Sequence, residues 1–417
     1  MIRIRTNKIF QGDRVIWVIF FFLCIISLVE VFSAASTLSY KSGSFMAPFW
    51  RQAMFLGIGM LVVICVHNIP CRWFKLIPLL FLVFTWILLL VTLLLGSDAN
   101  NATRWIEIFG LSFQPSELAK GVVITTVALI LAAMQRPDGA DRRAFKFILL
   151  ITFVTCGLIV AENLSTAALL FIVVVIMMFI GRVPLVQMGK LLGTGALALG
   201  LAISVIYFAF PDNPDAEIYQ TRPFHRVLTW KERIKDHQNK TKVISPADLD
   251  YDADAQTIHA NIAIASSDGI GRMPGNSVER DFLSQAFSDF IFAIIIEEMG
   301  LWGAVGVVML YIILLFRAGR IASRCERNFP AFLIMGLALL LSFQALVNMM
   351  VAVGLMPVTG QPLPLISRGG TSTLITCVYI GMMLSVSRYA RKTDSKQERE
   401  LNPDTAGEEF QNDEGMD

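Results

Sequence analysis

The chain has 417 residues, of which 55% are hydrophobic and 16% are charged. Soluble domains average roughly 45–50% apolar and about 25% charged residues, so the composition excludes an ordinary soluble enzyme. The net charge is +2, from 35 Lys and Arg against 33 Asp and Glu, and gives no overall field that would favour nucleic acid. We therefore expect a membrane protein with no nucleic acid partner.

Apolar stretches recur along the chain at lengths that suit a bilayer. A transmembrane helix needs roughly 17–25 predominantly apolar residues. Ten such stretches lie near 15–33, 50–69, 74–95, 117–134, 146–161, 164–181, 190–210, 289–316, 330–355 and 370–387. The predicted fold is an all-α polytopic integral membrane protein with about ten transmembrane helices.

The basic residues between these stretches predict the orientation of the chain. If both termini are cytoplasmic, the inner segments hold 21 of the 35 Lys and Arg residues and the short outer segments hold five. The positive-inside rule favours that arrangement. We expect a cytoplasmic N-terminus at 1–14, a membrane domain at 15–392 and a large extracytoplasmic loop at 211–288, between the seventh and eighth helices. The acidic tail at 393–417 is expected to be disordered and cytoplasmic.

Polar residues at the predicted outer start of the fourth helix need an explanation. Ser116 is expected to cap the helix, and Glu117 lies where a carboxylate meets the positive end of the helix dipole. Capping does not explain Lys120, a cation that the same dipole disfavours. Glu117 and Lys120 are three residues apart and can form an ion pair. Either a functional site or a purely structural clamp would account for this pair.

Carboxylates also mark the start of the eighth stretch. Asp289 is expected at the external membrane edge, where Ser288 and Asp289 alone would fit a helix cap. On a continuous helix, Glu297 and Glu298 would lie about 12–14 Å deeper. Two consecutive buried glutamates must be protonated, paired or next to a polar cavity, so we assign them a structural or proton-linked role.

Segment 356–372 is rich in Gly and Pro but too apolar for a free surface loop. Its three prolines and three glycines cannot continue the ninth helix. Such backbone is tolerated at membrane depth only where it lines a cavity or packs in protein. All three polar places fall on the predicted outer face, which indicates one external site for a substrate that is anionic at one end and lipid-soluble at the other.

These three places together resemble the SEDS (shape, elongation, division and sporulation) family of bacterial membrane glycosyltransferases. The matching motifs are Ala102-Thr103-Arg104-Trp105-Ile106 with Gln114-Pro115-Ser116-Glu117-Leu118-Ala119-Lys120, Ser288-Asp289-Phe290-Ile291-Phe292-Ala293 with Glu297-Glu298-Met299-Gly300, and Pro357-Val358-Thr359-Gly360 through Pro362-Leu363-Pro364 to Ser367-Arg368-Gly369-Gly370. The sequence departs from the family pattern in places, for example at Arg368, where the family has an aromatic residue.

The resemblance implies a peptidoglycan glycosyltransferase that polymerises lipid II into glycan strands on the outer face of the cytoplasmic membrane. Asp289 takes the position of the family's essential catalytic aspartate, and a base for the acceptor hydroxyl is what this chemistry requires. Positive groups must offset charge on the leaving pyrophosphate. The expected substrate-binding residues are Arg104, Lys120, Glu117, Gln114, Ser116, Arg226, Thr359, Gly360, Ser367, Gly369 and Gly370. No cofactor is assigned, and a divalent cation is left open.

The implied partners are lipid II, a monofunctional class B penicillin-binding protein and other division proteins in the bacterial inner membrane. The run from Phe113 to Lys120 and the extended cytoplasmic ends favour a role in division over one in elongation. Two other classes of function stay open. A transporter of lipid-linked precursors could use Glu297, Glu298 and Lys120, and a scaffold could use the polar loops to dock partners.

Overall fold

A computed structural model of the chain describes residues 10–34, 46–95, 97–99, 102–108, 111–209, 251–283 and 286–401. Its helices in chain order are α1 (Arg14–Ala34), α2 (Ala47–Asn68), α3 (Leu76–Leu95), α4 (Pro115–Ala133), α5 (Arg142–Val160), α6 (Leu164–Ile180), α7 (Leu185–Ala209), α8 (Tyr251–Ala265), α9 (Ile291–Ala322), α10 (Asn328–Ala352) and α11 (Gly370–Leu401). Short 3-10 helices span Cys71–Lys75 and Glu279–Asp281.

The predicted polytopic helical fold is confirmed. Each of the ten apolar stretches corresponds to a helix, and within the described ranges eight helices are long and apolar enough to cross a membrane. The helix α6 is apolar but shorter, with 17 residues. The helix α8 lies within the segment predicted as the external loop, and α11 continues past residue 393 to Leu401.

Two small sheets occur that the sequence did not predict. The strands β1 (Ser97–Ala99), β2 (Ala102–Ile108) and β3 (Leu111–Phe113) form an antiparallel sheet in that order, with Ile106 opposite Phe113. Trp105 and Ile106 belong to the aromatic and β-branched types that favour such strands. The strands β4 (Gln135–Arg136) and β5 (Gly139–Ala140) pair between α4 and α5. The first sheet leads directly into α4 and so helps to define its start.

The start of α1 and the end of the apolar part of α11 lie at the same end of the bundle. The amide of Asp13 donates a 2.9 Å hydrogen bond to Ser387 Oγ, and Arg317 near the end of α9 forms a 2.6 Å ion pair with Asp13. This agrees with the even number of spans predicted from the sequence. We call this end, which is predicted to be cytoplasmic, the inner end, and the opposite one the outer end.

Side chains from the preceding turns cap two neighbouring helices. Asn163 accepts hydrogen bonds from the amides of Ser165 and Thr166 at the start of α6. Asp141 accepts one from the amide of Arg143 at the start of α5, and this bond holds the pKa of Asp141 below its ordinary value. Such caps satisfy amides that have no partner within the helix. The helices α5 and α6 are separated only by residues 161–163, so the chain turns tightly between them.

The helices α4, α10 and α11 form the centre of the bundle. In α4 and α11, 72% of the most apolar stretch is buried, whereas the span that contains α3 is only 22% buried. A peripheral helix of this kind presents apolar side chains to lipid. The central helices carry most of the polar side chains described below.

The helix α9 is broken near its outer end, which corrects the prediction of one continuous helix from 289. Gly300 has φ 66° and ψ −168°, a conformation outside the helical region. The break separates a short helical segment, 291–299, from the long part of α9. The direction of this short segment is therefore set by the residues that pack against it, because the segment does not continue the axis of the long part.

Candidate active site

The backbone on both sides of Asp289 is held by two other parts of the chain. Ser367 Oγ donates a 2.6 Å hydrogen bond to the Ser288 carbonyl, and the Arg368 amide donates one of 2.9 Å to the Phe287 carbonyl. From α10, Asn348 Nδ2 donates a 2.9 Å bond to the carbonyl of Asp289 itself. Asp289 is half-buried, and its carboxylate accepts a 3.0 Å hydrogen bond from Ser288 Oγ.

The ion pair predicted between Glu117 and Lys120 is present and buried. Lys120 Nζ lies 2.8 Å from Glu117 Oε1 and donates a second bond, of 2.7 Å, to Gln344 Oε1 on α10. Gln344 Nε2 in turn donates to the Pro362 carbonyl at 3.1 Å. Lys120 is fully buried. Its hydrogen bonds, with that of Gln344, connect α4, α10 and the segment 353–369 between α10 and α11. This cluster of Glu117, Lys120 and Gln344 is called the lysine clamp below.

The start of α4 differs from the prediction at Ser116. The helix begins two residues earlier than predicted, at Pro115, and the side chain of Ser116 does not cap it. Both side chains are buried, and Gln114 Nε2 donates a 3.1 Å hydrogen bond to Ser116 Oγ. Tyr379 of α11 approaches this turn, and its hydroxyl donates a hydrogen bond to the Glu117 carbonyl.

The Gly- and Pro-rich segment predicted at 356–372 is partly buried, as expected, and in the structure the non-helical part between α10 and α11 spans 353–369. Asn348 Nδ2 donates to the Gln361 carbonyl at 2.8 Å, and Gln361 Nε2 donates to Thr166 Oγ1 of α6. Thr359 and Ser367 are also buried, and Gly360 has a positive φ of 67°. Gly369 precedes α11 and Gly370 is its first residue.

Three buried polar atoms in this region have no hydrogen-bond partner within the protein. They are Asn348 Oδ1, Gln361 Oε1 and Thr359 Oγ1. Buried polar atoms are rarely left unsatisfied, and exceptions call for an explanation. Asn348 Nδ2 donates to the carbonyls of both Asp289 and Gln361, so the unsatisfied oxygens of Asn348 and Gln361 belong to the network that holds the backbone of Asp289.

Glu297 and Glu298 are hydrogen-bonded by the segment that precedes α9, which corrects the expectation that they lie deeper than Asp289. Glu297 accepts from Ser277 Oγ and from the amide of Val278. Glu298 accepts from the amide of Ser277 and from Ser33, next to the outer end of α1. Of the three possibilities predicted for these buried carboxylates, the structure shows hydrogen bonds to neighbouring hydroxyls and amides.

Arg368 follows the residue that bonds to Ser288, whereas the side chains of the predicted Arg104 and Arg226 are not described. Arg368 is half-buried next to Ser367, with its guanidinium 5.3 Å from the centre of the Phe287 ring. Burial lowers the pKa of Arg368, and the nearby charge of Arg51 adds to the effect. Arg104 lies on β2, where only the backbone is described, and Arg226 lies outside the described residues.

The structure therefore brings the three predicted polar places together, and it adds residues that sequence reasoning missed. Gln344 and Asn348 are four residues apart, so they share one face of α10. The sequence signal that could have identified these two residues is their helical spacing as polar side chains in an otherwise apolar helix. In the described part of the chain, no three His, Cys, Asp or Glu residues form a group that could hold a metal ion.

Nearly the whole chain matches one protein family. The model of the cell cycle protein family FtsW/RodA/SpoVE matches residues 13–392. The chain belongs to that family. Its members include the SEDS proteins that the motifs resembled, so the predicted membership is confirmed.

Individual members of the FtsW/RodA/SpoVE family match over nearly their whole length. The probable peptidoglycan glycosyltransferase FtsW of Haemophilus influenzae is 31% identical over 390 residues, which is 91% of each chain. Stage V sporulation protein E of Bacillus subtilis is 28% identical and is covered completely, by 93% of this chain.

Solved structures give the same result. A chain from a peptidoglycan synthase complex that coordinates polymerization and crosslinking has a TM-score of 0.68 and 26% identity, covering 91% of this chain and 98% of its own. The rod shape determining protein RodA of Thermus thermophilus has a TM-score of 0.62 and 26% identity, covering 92% and 98% respectively. The protein is thus a multi-pass membrane protein of this fold.

Proposed function

We propose that the protein is a peptidoglycan glycosyltransferase that polymerises lipid II on the outer face of the bacterial inner membrane. The names of its FtsW relatives and the synthase complex that it resembles support this activity. The observation that carries the proposal is the placement of Asp289. Its backbone is fixed by α10 and by the segment 353–369, while the residue as a whole is only half-buried.

In the proposed reaction Asp289 acts as the general base. Its carboxylate accepts the proton of the acceptor sugar hydroxyl while that oxygen forms a bond to the anomeric carbon of the donor. The bond between this carbon and the pyrophosphate breaks, and the lipid pyrophosphate leaves with the electron pair. Hydrogen bonds to the backbone on both sides of Asp289 hold the base in position and reduce the reorganisation needed for the reaction.

The leaving pyrophosphate needs positive groups. Lys120 was among the substrate-binding residues expected from the sequence, but it is buried and bonded to Glu117 and Gln344. We assign it a positioning role. Arg368 is half-buried and follows Ser367, which bonds to the residue before Asp289, so we propose that Arg368, together with Arg104, offsets the developing charge.

The transporter alternative has less support from the site. It depended on Glu297, Glu298 and Lys120 as ionisable groups along a path. The two glutamates are bonded by Ser33 and by residues 277–278, and Lys120 belongs to the lysine clamp. These groups collect near the outer end, an arrangement that suits an external active site.

The central experiment replaces Asp289 by Asn in the purified full-length protein. We expect lipid II polymerisation to fall by at least about a hundredfold, since the amide cannot accept the proton. Asp268→Asn is the matched control, because Asp268 is exposed and its φ of 47° suits Asn equally well. Full polymerisation by the Asp289 variant, at normal expression and melting temperature, would contradict the proposal.

We further propose that the enzyme serves division, together with a class B penicillin-binding protein and other division proteins. The FtsW names of several relatives support this role over elongation. A fluorescent fusion is expected at midcell together with the transpeptidase. Localisation along the side wall would instead assign the chain to elongation.

A further inference from the structure

A cavity of about 250 Å³ opens at the inner end of the bundle, far along the helices from Asp289. Its walls come from three parts of the chain. These are the 3-10 helix Cys71–Lys75, the start of α10 and the last buried turns of α11. None of the catalytic or substrate-binding residues discussed above contributes to it.

Four cations line this cavity, and its described lining contains no carboxylate. They are Arg72, Lys75, Arg327 and Arg388. The contacts that anchor two of them involve neutral groups. Arg388 donates to the carbonyl and side-chain oxygens of Asn68, and Lys75 Nζ lies 5.6 Å from the centre of the Phe329 ring. Like charges gathered around one small space repel each other, and a bound anion would relieve that repulsion.

The geometry of α10 adds to this preference for an anion. The helix begins at Asn328, and its second and third residues, Phe329 and Pro330, line the cavity. The free amides and the dipole of a helix N-terminus attract negative charge. Cationic side chains and a helix start that converge on one cavity are typical of phosphate recognition.

The apolar part of the lining and its surroundings favour an anion that belongs to a lipid. Pro70, Phe329 and Pro330 form apolar walls. The helix α3 begins beside the cavity and leads away from it with exposed apolar side chains, of which Leu79 is 78% exposed. Acyl chains could lie along this surface while the headgroup occupies the cavity. Basic pockets between transmembrane helices on the cytoplasmic side are suited to anionic headgroups.

We propose that this cavity binds a phosphate ester, supplied by the headgroup of an anionic phospholipid in the leaflet at the inner end. The site is separate from the polymerisation site and does not depend on the proposed activity. It gives the protein a specific lipid contact at the place where α10, α11 and the start of α3 meet.

The test compares lipid retention by the purified full-length protein in nanodiscs, measured by native mass spectrometry. The discs contain phosphatidylcholine with a minor fraction of phosphatidylglycerol. The variant is Arg72→Gln/Lys75→Gln/Arg327→Gln, and we expect at least about a tenfold loss of retained phosphatidylglycerol. The matched control is Arg142→Gln/Arg143→Gln/Lys146→Gln, which removes three exposed charges from the inner end of α5 and is expected to retain the lipid. Lys75→Gln alone is a milder variant in case the triple one does not fold.

Three outcomes would overturn the proposal. The first is equal retention of phosphatidylglycerol and phosphatidylcholine by the unchanged protein. The second is an equal loss in the control variant, which would indicate diffuse electrostatic attraction instead of a site. The third is full displacement of phosphatidylglycerol by soluble glycerol 3-phosphate, which would assign the cavity to a free phosphate ester and remove the lipid as its source.

Discussion

At the scale of single residues, Lys120 shows how a charge can be kept inside an apolar bundle. Its side chain is completely buried, yet Nζ has both a carboxylate and an amide oxygen within 2.8 Å. Removing charges from water is costly and is offset only by good geometry and further hydrogen bonds. The spacing of Glu117 and Lys120 predicted their pairing, whereas the contribution of Gln344 depends on how α4 and α10 pack.

Replacement of Glu117 by Gln is expected to lower the free energy of unfolding by about 3–5 kcal/mol, because it leaves Lys120 charged without a counterion. The double variant Glu117→Leu/Lys120→Met removes both charges and should recover most of the melting temperature in detergent. If Lys120 is a positioning residue, that double variant will be stable but will polymerise lipid II slowly. Normal stability of the single variant would show that the ion pair does not support the fold.

At the scale of elements, the break in α9 depends on two glycines that touch. Gly300 has φ 66°, and a Cβ added there would lie 2.4 Å from the Ile270 carbonyl carbon. Gly271 has φ 88°, and its Cβ would lie 2.4 Å from the Gly300 amide nitrogen. The segment before α9 is thereby held against the break, and it supplies the amides that bond Glu297 and Glu298.

Gly271→Ala should therefore separate this segment from α9 and lower both the melting temperature and the polymerisation rate. Gly269→Ala is the matched control, since Gly269 also has a positive φ, of 77°, but its Cβ would have nothing within 4 Å. Gly269→Ala is therefore expected to lower the free energy of unfolding only by the cost of placing a residue with a Cβ at a positive φ, about 1–2 kcal/mol. Equal effects of the two substitutions would mean that close packing at Gly271 does not matter.

The sequence predicted the helices of the fold, but not the break in α9 or the short strands. Apolar length predicted the helices, because each span must satisfy its backbone within lipid. The break at Gly300 was not predicted, since a glycine in an apolar helix is common and its φ here follows from contact with residues 269–271. The sheet before α4 was missed because its strands are three to seven residues long. Such short strands give little periodicity.

At the scale of the whole molecule, the site is assembled from parts that are distant in sequence. Near the outer end of the bundle, Asn348 joins the backbone of Asp289 to Gln361, and Gln361 bonds to Thr166 of α6. Gln344 bonds to the carbonyl of the neighbouring Pro362. The sequence could predict a common face for the three polar places from the orientation rule alone. It could not predict their mutual distances, because these depend on the packing of α4, α6 and α10.

That orientation gives a prediction for the whole chain. Asn276, in the exposed part of the segment before α9, should be extracytoplasmic, and Arg143, in the first turn of α5, should be cytoplasmic. In spheroplasts, a membrane-impermeant thiol reagent should label Asn276→Cys directly and Arg143→Cys only after permeabilisation. The unchanged chain gives the background from its six cysteines. The reverse pattern of labelling would place Asp289 on the cytoplasmic side, where an enzyme that builds glycan strands outside the membrane could not use it.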